Sequence, residues 1–352
     1  MRLCRNLVFA IVVLATACTP VVRPAGPPAS EPQLLAEAIR ADDGVLLPVH
    51  AWLPNPRKPR AVILALHGFN DYGNFFAAAG AWLAARGIAS YAYDQRGFGA
   101  APGRGYWPGM ESLTRDLRTA VASIRSRHPG LPLYLLGESM GGAVVIAAMA
   151  EQPPPEVDGV ILAAPAVWGR DTMWWGQAAV LWVAAHTVPG LTLTGRGLGI
   201  RPSDNVAMLR ALGRDPKVIK DTRVDAIYGL VGLMDAALAA AARIGEPALI
   251  LYGERDELIP REAVQTMFER LPAEPGGCLR VALYQDGYHM LLRDLQAETV
   301  WTDIAAWITD PSAPLPSGAD TRATFADACR SWRQCGKVHE HPAPPAAADA
   351  RP

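Results

Sequence analysis

The sequence predicts an α/β architecture: a mostly parallel sheet flanked by helices, interrupted by one helical insertion. Three observations carry this. Short, continuous apolar runs such as Ala61 to Leu66 (AVILAL) have the character of strands buried on both faces. From about residue 45 to residue 308 such runs alternate with longer stretches of helical pattern. The alternation breaks once, between Pro165 and Gly245, in an apolar stretch that carries Trp168, Trp174, Trp175 and Trp182. The chain has 352 residues, 50% of them hydrophobic, enough for a large core.

In chain order, the first element is an export signal. Arg2 and Arg5 precede the apolar run Leu7 to Leu14, which is too short to span a bilayer, and Ala15-Thr16-Ala17 form a small-residue cleavage region. Residues 1–17 are therefore expected to be removed. Cys18, directly after them, resembles the lipidated cysteine of bacterial lipoproteins, although Ala15 stands where an aliphatic residue is usual. Thr19 in the next position favours the outer membrane by that resemblance. The alternative is an ordinary secretory signal cut beside Ala17. Residues 18–33, rich in Pro and Ala, read as an extended tether holding the protein off a membrane surface.

A core is expected over 34–165 and 246–309. Leu35 to Arg40 and Leu46 to Leu53 flank Asp42-Asp43-Gly44, a hairpin signal. After Ala61 to Leu66, strands are expected at Ser90 to Tyr93, Leu133 to Leu136, Val160 to Ala163, Ala248 to Tyr252 and Leu279 to Tyr284. Helices are expected at Phe75 to Arg86, Ser112 to Arg127, Gly141 to Ala150, Arg261 to Arg270 and Leu292 to Ile308. Residues 166–245 read as a helical lid, with helices at Gln177 to His186 and Leu230 to Arg243. Residues 310–352, with proline-rich ends, read as a flexible tail in which Cys329 and Cys335 form a short disulfide loop or stay free thiols.

The charge balance excludes several partners. With 33 basic and 34 acidic side chains the net charge is −1, and no basic run with interleaved aromatics appears, so nucleic-acid binding is not expected. There is no HExxH and no paired CxxC, so no metal or other cofactor is expected.

The chemistry concentrates in Gly137-Glu138-Ser139-Met140-Gly141, a GxSxG placed between an apolar strand and an Ala-rich helix. A serine on such a turn projects from the sheet edge, and the glycines allow the tight bend. A hydroxyl needs a base to become a nucleophile, and the base needs an orienting carboxylate. His289 follows the last strand and Asp256 the one before it, so in a parallel sheet both loops reach the edge that holds Ser139. Asp286 is the main rival acid, but it is too near His289 along the loop to meet the ring's far nitrogen; Glu254 and Asp158 are weaker. His67 is assigned to shaping the oxyanion loop and His186 to a helix face. His50 and His128 read as surface or strand residues, and His339 and His341 fall in the tail. The oxyanion donors expected are the backbone N–H groups of Met140 and Phe69.

His67-Gly68-Phe69, Tyr93-Asp94-Gln95-Arg96-Gly97-Phe98-Gly99, Gly137 to Gly142, Tyr252-Gly253-Glu254-Arg255-Asp256 with Ile259-Pro260, and Gly287-Tyr288-His289 stand in a telling order. Together they resemble the monoacylglycerol lipase and lysophospholipase group of α/β-hydrolases over roughly residues 35–308. The resemblance implies an α/β-hydrolase fold and a serine esterase of monoacylglycerols or lysophospholipids. It implies Ser139 as nucleophile, Asp256 as acid, His289 as base, and Phe69 and Met140 as oxyanion donors. Gln95, Phe98 and Ala100 depart from the group's usual His, His and Ser, and Asn70-Asp71 differ in the loop after His67-Gly68, which bears on the substrate but leaves the triad. The lid tryptophans Trp168, Trp174, Trp175 and Trp182 are candidates for contact with an acyl chain, against simple lid packing. The same triad serves amides, peptides and thioesters, and a non-catalytic binding protein on this fold is the alternative of a different class.

Overall fold

A computed structural model describes residues 19–195, 197, 199–244, 247–271 and 279–320. Its strands are β1 (Gln33–Leu34), β2 (Ala38–Arg40), β3 (Leu46–Trp52), β4 (Ala61–Leu66), β5 (Ile88–Tyr93), β6 (Leu133–Glu138), β7 (Gly159–Ala163), β8 (Thr192–Leu193), β9 (Thr222–Arg223), β10 (Ala248–Gly253) and β11 (Leu279–Tyr284). The α-helices are α1 (Ala77–Ala84), α2 (Met110–Arg127), α3 (Met140–Met149), α4 (Trp175–Thr187), α5 (Val206–Arg214), α6 (Val224–Ala240), α7 (Arg261–Arg270) and α8 (Ala297–Thr309). Nine strands form one sheet in the order β1-β2-β3-β5-β4-β6-β7-β10-β11. β4, β5, β6, β7, β10 and β11 run parallel, and β3 joins β5 antiparallel after the hairpin that turns at Gly44.

β4 explains the layering. Its side chains alternate between two apolar clusters. Val62, Leu64 and Leu66 pack with residues of α2, α3 and α6, whereas Ala61, Ile63 and Ala65 pack with residues of α1 and α8. Every residue of β4, β5, β6, β7 and β10 is buried, as the unbroken apolar runs require. Because these strands are parallel, the loops after β4, β6, β10 and β11 leave from one edge.

Three expectations about organisation need correction. The insertion is not one lid: α6 packs on α3, and Val231, Leu233, Met234, Ala237 and Leu238 join the main core. α6 with the turn after it, residues 224–243, is long and apolar enough to cross a membrane, but its apolarity serves this packing. α4 and α5 are the part that lies over the edge, and the nine-residue pattern of α5 is too short to mark a helix in the sequence.

Residues 19–33 are not a free tether. Arg23 N–H donates to Trp107 O (2.8 Å), Ala25 N–H to Ser112 Oγ (2.8 Å) and Gly26 N–H to Asp43 Oδ2 (2.9 Å), and the Arg23 guanidinium sits 3.4 Å from the centre of the Tyr106 ring. Proline stiffness here shapes a strap that finds donors and acceptors along the core surface. The tail also begins ordered. Leu283 N–H donates to Ala319 O, Ser317 N–H to Asp303 Oδ1, and Leu315 and Ala319 are buried against the β11 edge. Residues 1–18, Cys278, Cys329 and Cys335 lie outside the described residues, and with them the signal, lipidation and disulfide expectations.

Candidate active site

The turn from β6 into α3 holds Ser139 at φ 53° and ψ −117°, a left-handed conformation that costs on the order of 1–3 kcal/mol for a residue with a side chain. Its neighbours make the bend possible. A Cβ at Gly137 would lie 2.5 Å from backbone atoms of Gly141, and one at Gly141 would lie 2.3 Å from Leu66 O. Gly141→Ala is therefore expected to lower stability by about 3 kcal/mol and to displace Ser139; thermal melting and active-site labelling would register both.

Asp256, in the loop after β10, is fixed by its own turn: Oδ1 accepts from Leu258 N–H (2.7 Å) and Ile259 N–H (3.0 Å). Its other oxygen, Oδ2, accepts from His289 Nδ1–H at 2.8 Å, and both side chains are shielded from solvent. Asp286 instead pairs with Arg255 at the surface, and Asp158 pairs with Arg125 beside the N-terminal end of β7. With Nδ1 committed to Asp256, His289 Nε2 is the nitrogen able to accept a proton. Burial pulls the imidazole pKa down, but Asp256 by charge and hydrogen bond, and Glu138 by charge, outweigh it and hold it above the usual 6.5.

Ser139 and His289 line one cavity of about 530 Å³ at the carboxyl edge of the sheet. His289 bonds through Nδ1 to Asp256, and Ser139 Oγ and His289 Nε2 share no hydrogen bond in this conformation. The cavity wall is mostly apolar, with Trp168, Met173, Leu181, Leu230, Val231 and Met234 among its residues.

The loop after β4 closes on the nucleophile. A Cβ at Gly68 would sit 3.3 Å from Ser139 Cβ. Buried His67 accepts from Gln95 N–H through Nε2 (3.0 Å), so its Nδ1–H donates to Gly68 O (2.8 Å). Holding that carbonyl on the His67 side turns the N–H of the same peptide, that of Phe69, the opposite way. Burial lowers the His67 pKa, which keeps this neutral tautomer. Met140 opens α3, and its N–H has no carbonyl four residues back within the helix. Phe69 lines the cavity together with Ser139, and Met140 follows Ser139 directly in the chain.

The tryptophans divide. Trp168 lines the cavity, but Trp174, Trp175 and Trp182 are exposed at 64%, 75% and 52% and do not. α4 is turned so that Gln177 and Leu181, one helical turn apart, meet the cavity, which leaves Trp175 and Trp182 on the outside. His186 stacks on Trp182 and bonds Trp182 O, a satisfied helix-face histidine.

Sequence reading missed a buried ionic group beside the nucleophile. Arg293 donates to Asp71 Oδ2 and to Glu138 Oε1, both at 2.7 Å, and all three side chains are nearly inaccessible. Burial pushes the Glu138 carboxyl pKa up, against the pull of Arg293. The signal available was a charged residue at the end of an otherwise apolar strand and an arginine four residues after His289.

A family model described as "Serine aminopeptidase, S33" matches residues 57–296. A monoacylglycerol lipase of Mycolicibacterium smegmatis is 28% identical over 75% of this chain and 93% of its own length. The human monoglyceride lipase is 27% identical over 77% of this chain and 89% of its own. In fold, the chain is similar to a soluble variant of Saccharomyces cerevisiae monoglyceride lipase in complex with a substrate analogue, at a TM-score of 0.64 and 20% identity, over 82% of this chain and 98% of the other.

Proposed function

The chain belongs to the serine aminopeptidase S33 family of α/β-hydrolases, and on that premise we propose that it cleaves monoacylglycerols or lysophospholipids through an acyl-enzyme. It is a serine ester hydrolase acting on lipid-like esters. The observation that carries the mechanism is the His289 Nδ1–Asp256 Oδ2 hydrogen bond at the rim of an apolar cavity that Ser139 shares.

In the proposed reaction, Ser139 Oγ bonds the ester carbonyl carbon as its proton passes to His289 Nε2. The oxyanion is met by the N–H groups of Phe69 and Met140, and Asp256 stabilises the imidazolium. Collapse expels the alcohol, which takes the proton from Nε2. Water then attacks the acyl-Ser139 carbonyl, giving its proton to His289, and the carboxylic acid leaves as Ser139 regains its hydrogen. The apolar wall suits an acyl chain, whose burial contributes about 0.8 kcal/mol per methylene.

A peptide substrate with a free amino terminus would need an uncommitted carboxylate in the cavity. Asp71 and Glu138, the acidic residues among the described cavity wall, share Arg293, and although Glu138 Oε2 has no partner, the mostly apolar remainder of the wall favours the ester reading. Turnover of p-nitrophenyl esters of graded length, beside monoacylglycerol, lysophosphatidylcholine and an aminoacyl anilide, tests this. Medium- and long-chain esters are expected to be hydrolysed and the anilide to be spared; the reverse order contradicts the reading.

The base must be neutral to accept a proton, and the His289 pKa is raised. Activity is therefore expected to rise with pH along a limb centred above 6.5. Removing the negative charge in Glu138→Gln should move that limb to lower pH, as kcat/KM profiles of the two proteins would record.

We further propose export and acylation of Cys18, with the protein held at the outer membrane. The support is the sequence Leu7 to Thr19. Mass spectrometry of the mature N-terminus is expected to find a diacylglyceryl cysteine, and an unmodified residue there overturns it.

A further inference from the structure

Asn70 follows the oxyanion donor Phe69 and stands in the loop where this chain departs from the monoacylglycerol lipase group. With Ser139 and Ala164 it is one of three non-glycine residues, among those described, at positive φ (66°). Asparagine enters this left-handed region more readily than most residues with a side chain. The conformation closes a turn, in which Asp71 N–H donates back to Gly68 O at 3.3 Å. A positive φ at the third residue and not at the second is what a type II turn requires, and it admits Gly or Asn there. The second residue is Phe69, whose N–H takes no part in the turn's own bond. Gly68 O is held by two donors, Asp71 N–H and His67 Nδ1–H (2.8 Å), so the planar peptide carries Phe69 N–H on the opposite side.

Asn70 is itself held from the insertion. Its Nδ2–H donates to Thr222 Oγ1 (2.7 Å), and its carbonyl accepts from Ile219 N–H (2.9 Å). Thr222 is buried and belongs to β9. The stretch between α5 and β9 is tied to the core in turn: Tyr72 donates its hydroxyl to Asp215 Oδ2 and Arg104 donates to Pro216 O, both at 2.7 Å. The insertion therefore grips the loop after β4 at the residue whose conformation sets the turn.

We propose that Asn70 is a positioning residue: clasped by Thr222 and Ile219, it keeps the turn that aims Phe69 N–H at the oxyanion formed on Ser139. The inference rests on the acyl-enzyme reading above, in which Phe69 N–H meets that oxyanion. Asn70 also lines the cavity, and direct contact with substrate, the competing role, predicts a different kinetic pattern.

An alkyl trifluoromethyl ketone reads the oxyanion site apart from substrate binding. Ser139 Oγ adds to its carbonyl carbon, the Ser139 proton passes to His289 Nε2, and the carbonyl oxygen becomes the oxyanion. Asn70→Gly leaves positive φ accessible, and Thr222→Val removes the hydroxyl at nearly constant shape, so each breaks the same bond. Each is expected to lower kcat on p-nitrophenyl butyrate about tenfold, less than deletion of a whole donor would. Ki for the ketone should rise by the same factor, with KM close to its wild-type value. The double variant should be no slower than the singles, because both act through one contact, and Thr222→Ser, which keeps the hydroxyl, should match the wild type. Loss of folded protein alone lowers kcat and leaves Ki unchanged. Wild-type kinetics in Thr222→Val, a change confined to KM, an unchanged Ki, or losses that multiply in the double variant overturn the proposal. If Thr222→Val does not fold, the Ki and kcat of Asn70→Gly decide alone. If the aminoacyl anilide is turned over in place of the ester, the proposed substrate class fails, and the same ratios read on the anilide still decide the role of Asn70.

Discussion

Asp256→Asn is expected to lower kcat on short-chain esters by about 10⁴ while the protein melts near its wild-type temperature. Asp256 Oδ2 holds the Nδ1–H of His289, so an amide that presents its NH2 group there favours the wrong tautomer and leaves the imidazolium without its counter-charge. The fold should tolerate the change because Oδ1 can still accept from Leu258 and Ile259. Asp286→Asn, which breaks only an exposed pair with Arg255, should leave kcat unchanged. Steady-state kinetics of the two variants separate these carboxylates, and the opposite outcome would move the acid to Asp286.

Arg293→Met is expected to remove about 3–5 kcal/mol of stability, because it leaves Asp71 and Glu138 largely buried and facing each other without a cation. In a chain of this size that corresponds to a drop in Tm of about 4–7 °C. The pH dependence has a definite sign. Without Arg293, the Glu138 carboxyl pKa, already raised by burial, rises further, so its anion opposes folding. The loss should therefore deepen as pH increases through that pKa and shrink in acid. Adding Glu138→Gln to Arg293→Met should restore part of the Tm at neutral pH. A variant as stable as the wild type across this range would mean that the two carboxylates are not electrostatically held.

Much of the site was legible because each part depends on a local pattern. Strand β6, the glycines around Ser139 and the helix behind it specify a turn that admits few conformations. Parallel strands then bring the loops of Asp256 and His289 to it without further instruction. The same holds for His67, whose position after a buried strand leaves it little to do but bond backbone. What escaped depends on contacts between segments distant in sequence. Asp71, Glu138 and Arg293 form one ionic group only after three loops converge. The rotation of α4 that faces Trp175 and Trp182 outward cannot be read from a helix apolar on all sides, since no polar stripe marks its wet face. The strap at 19–33 and the tail at 310–320 look unstructured by composition, and their order comes from partners such as Trp107, Asp43 and Asp303. α6 reads as lid from its place in the chain, because its packing on α3 leaves no mark in the sequence.

Covalent labelling by a fluorophosphonate probe, followed by mass mapping of the modified residue, bears most directly on the claim that Ser139 is activated by His289. The wild type is expected to carry one adduct, on Ser139, formed faster as pH rises through the raised His289 pKa, and Ser139→Ala to carry none. A wild type that stays unlabelled, or a Ser139→Ala variant that labels equally well, would contradict it.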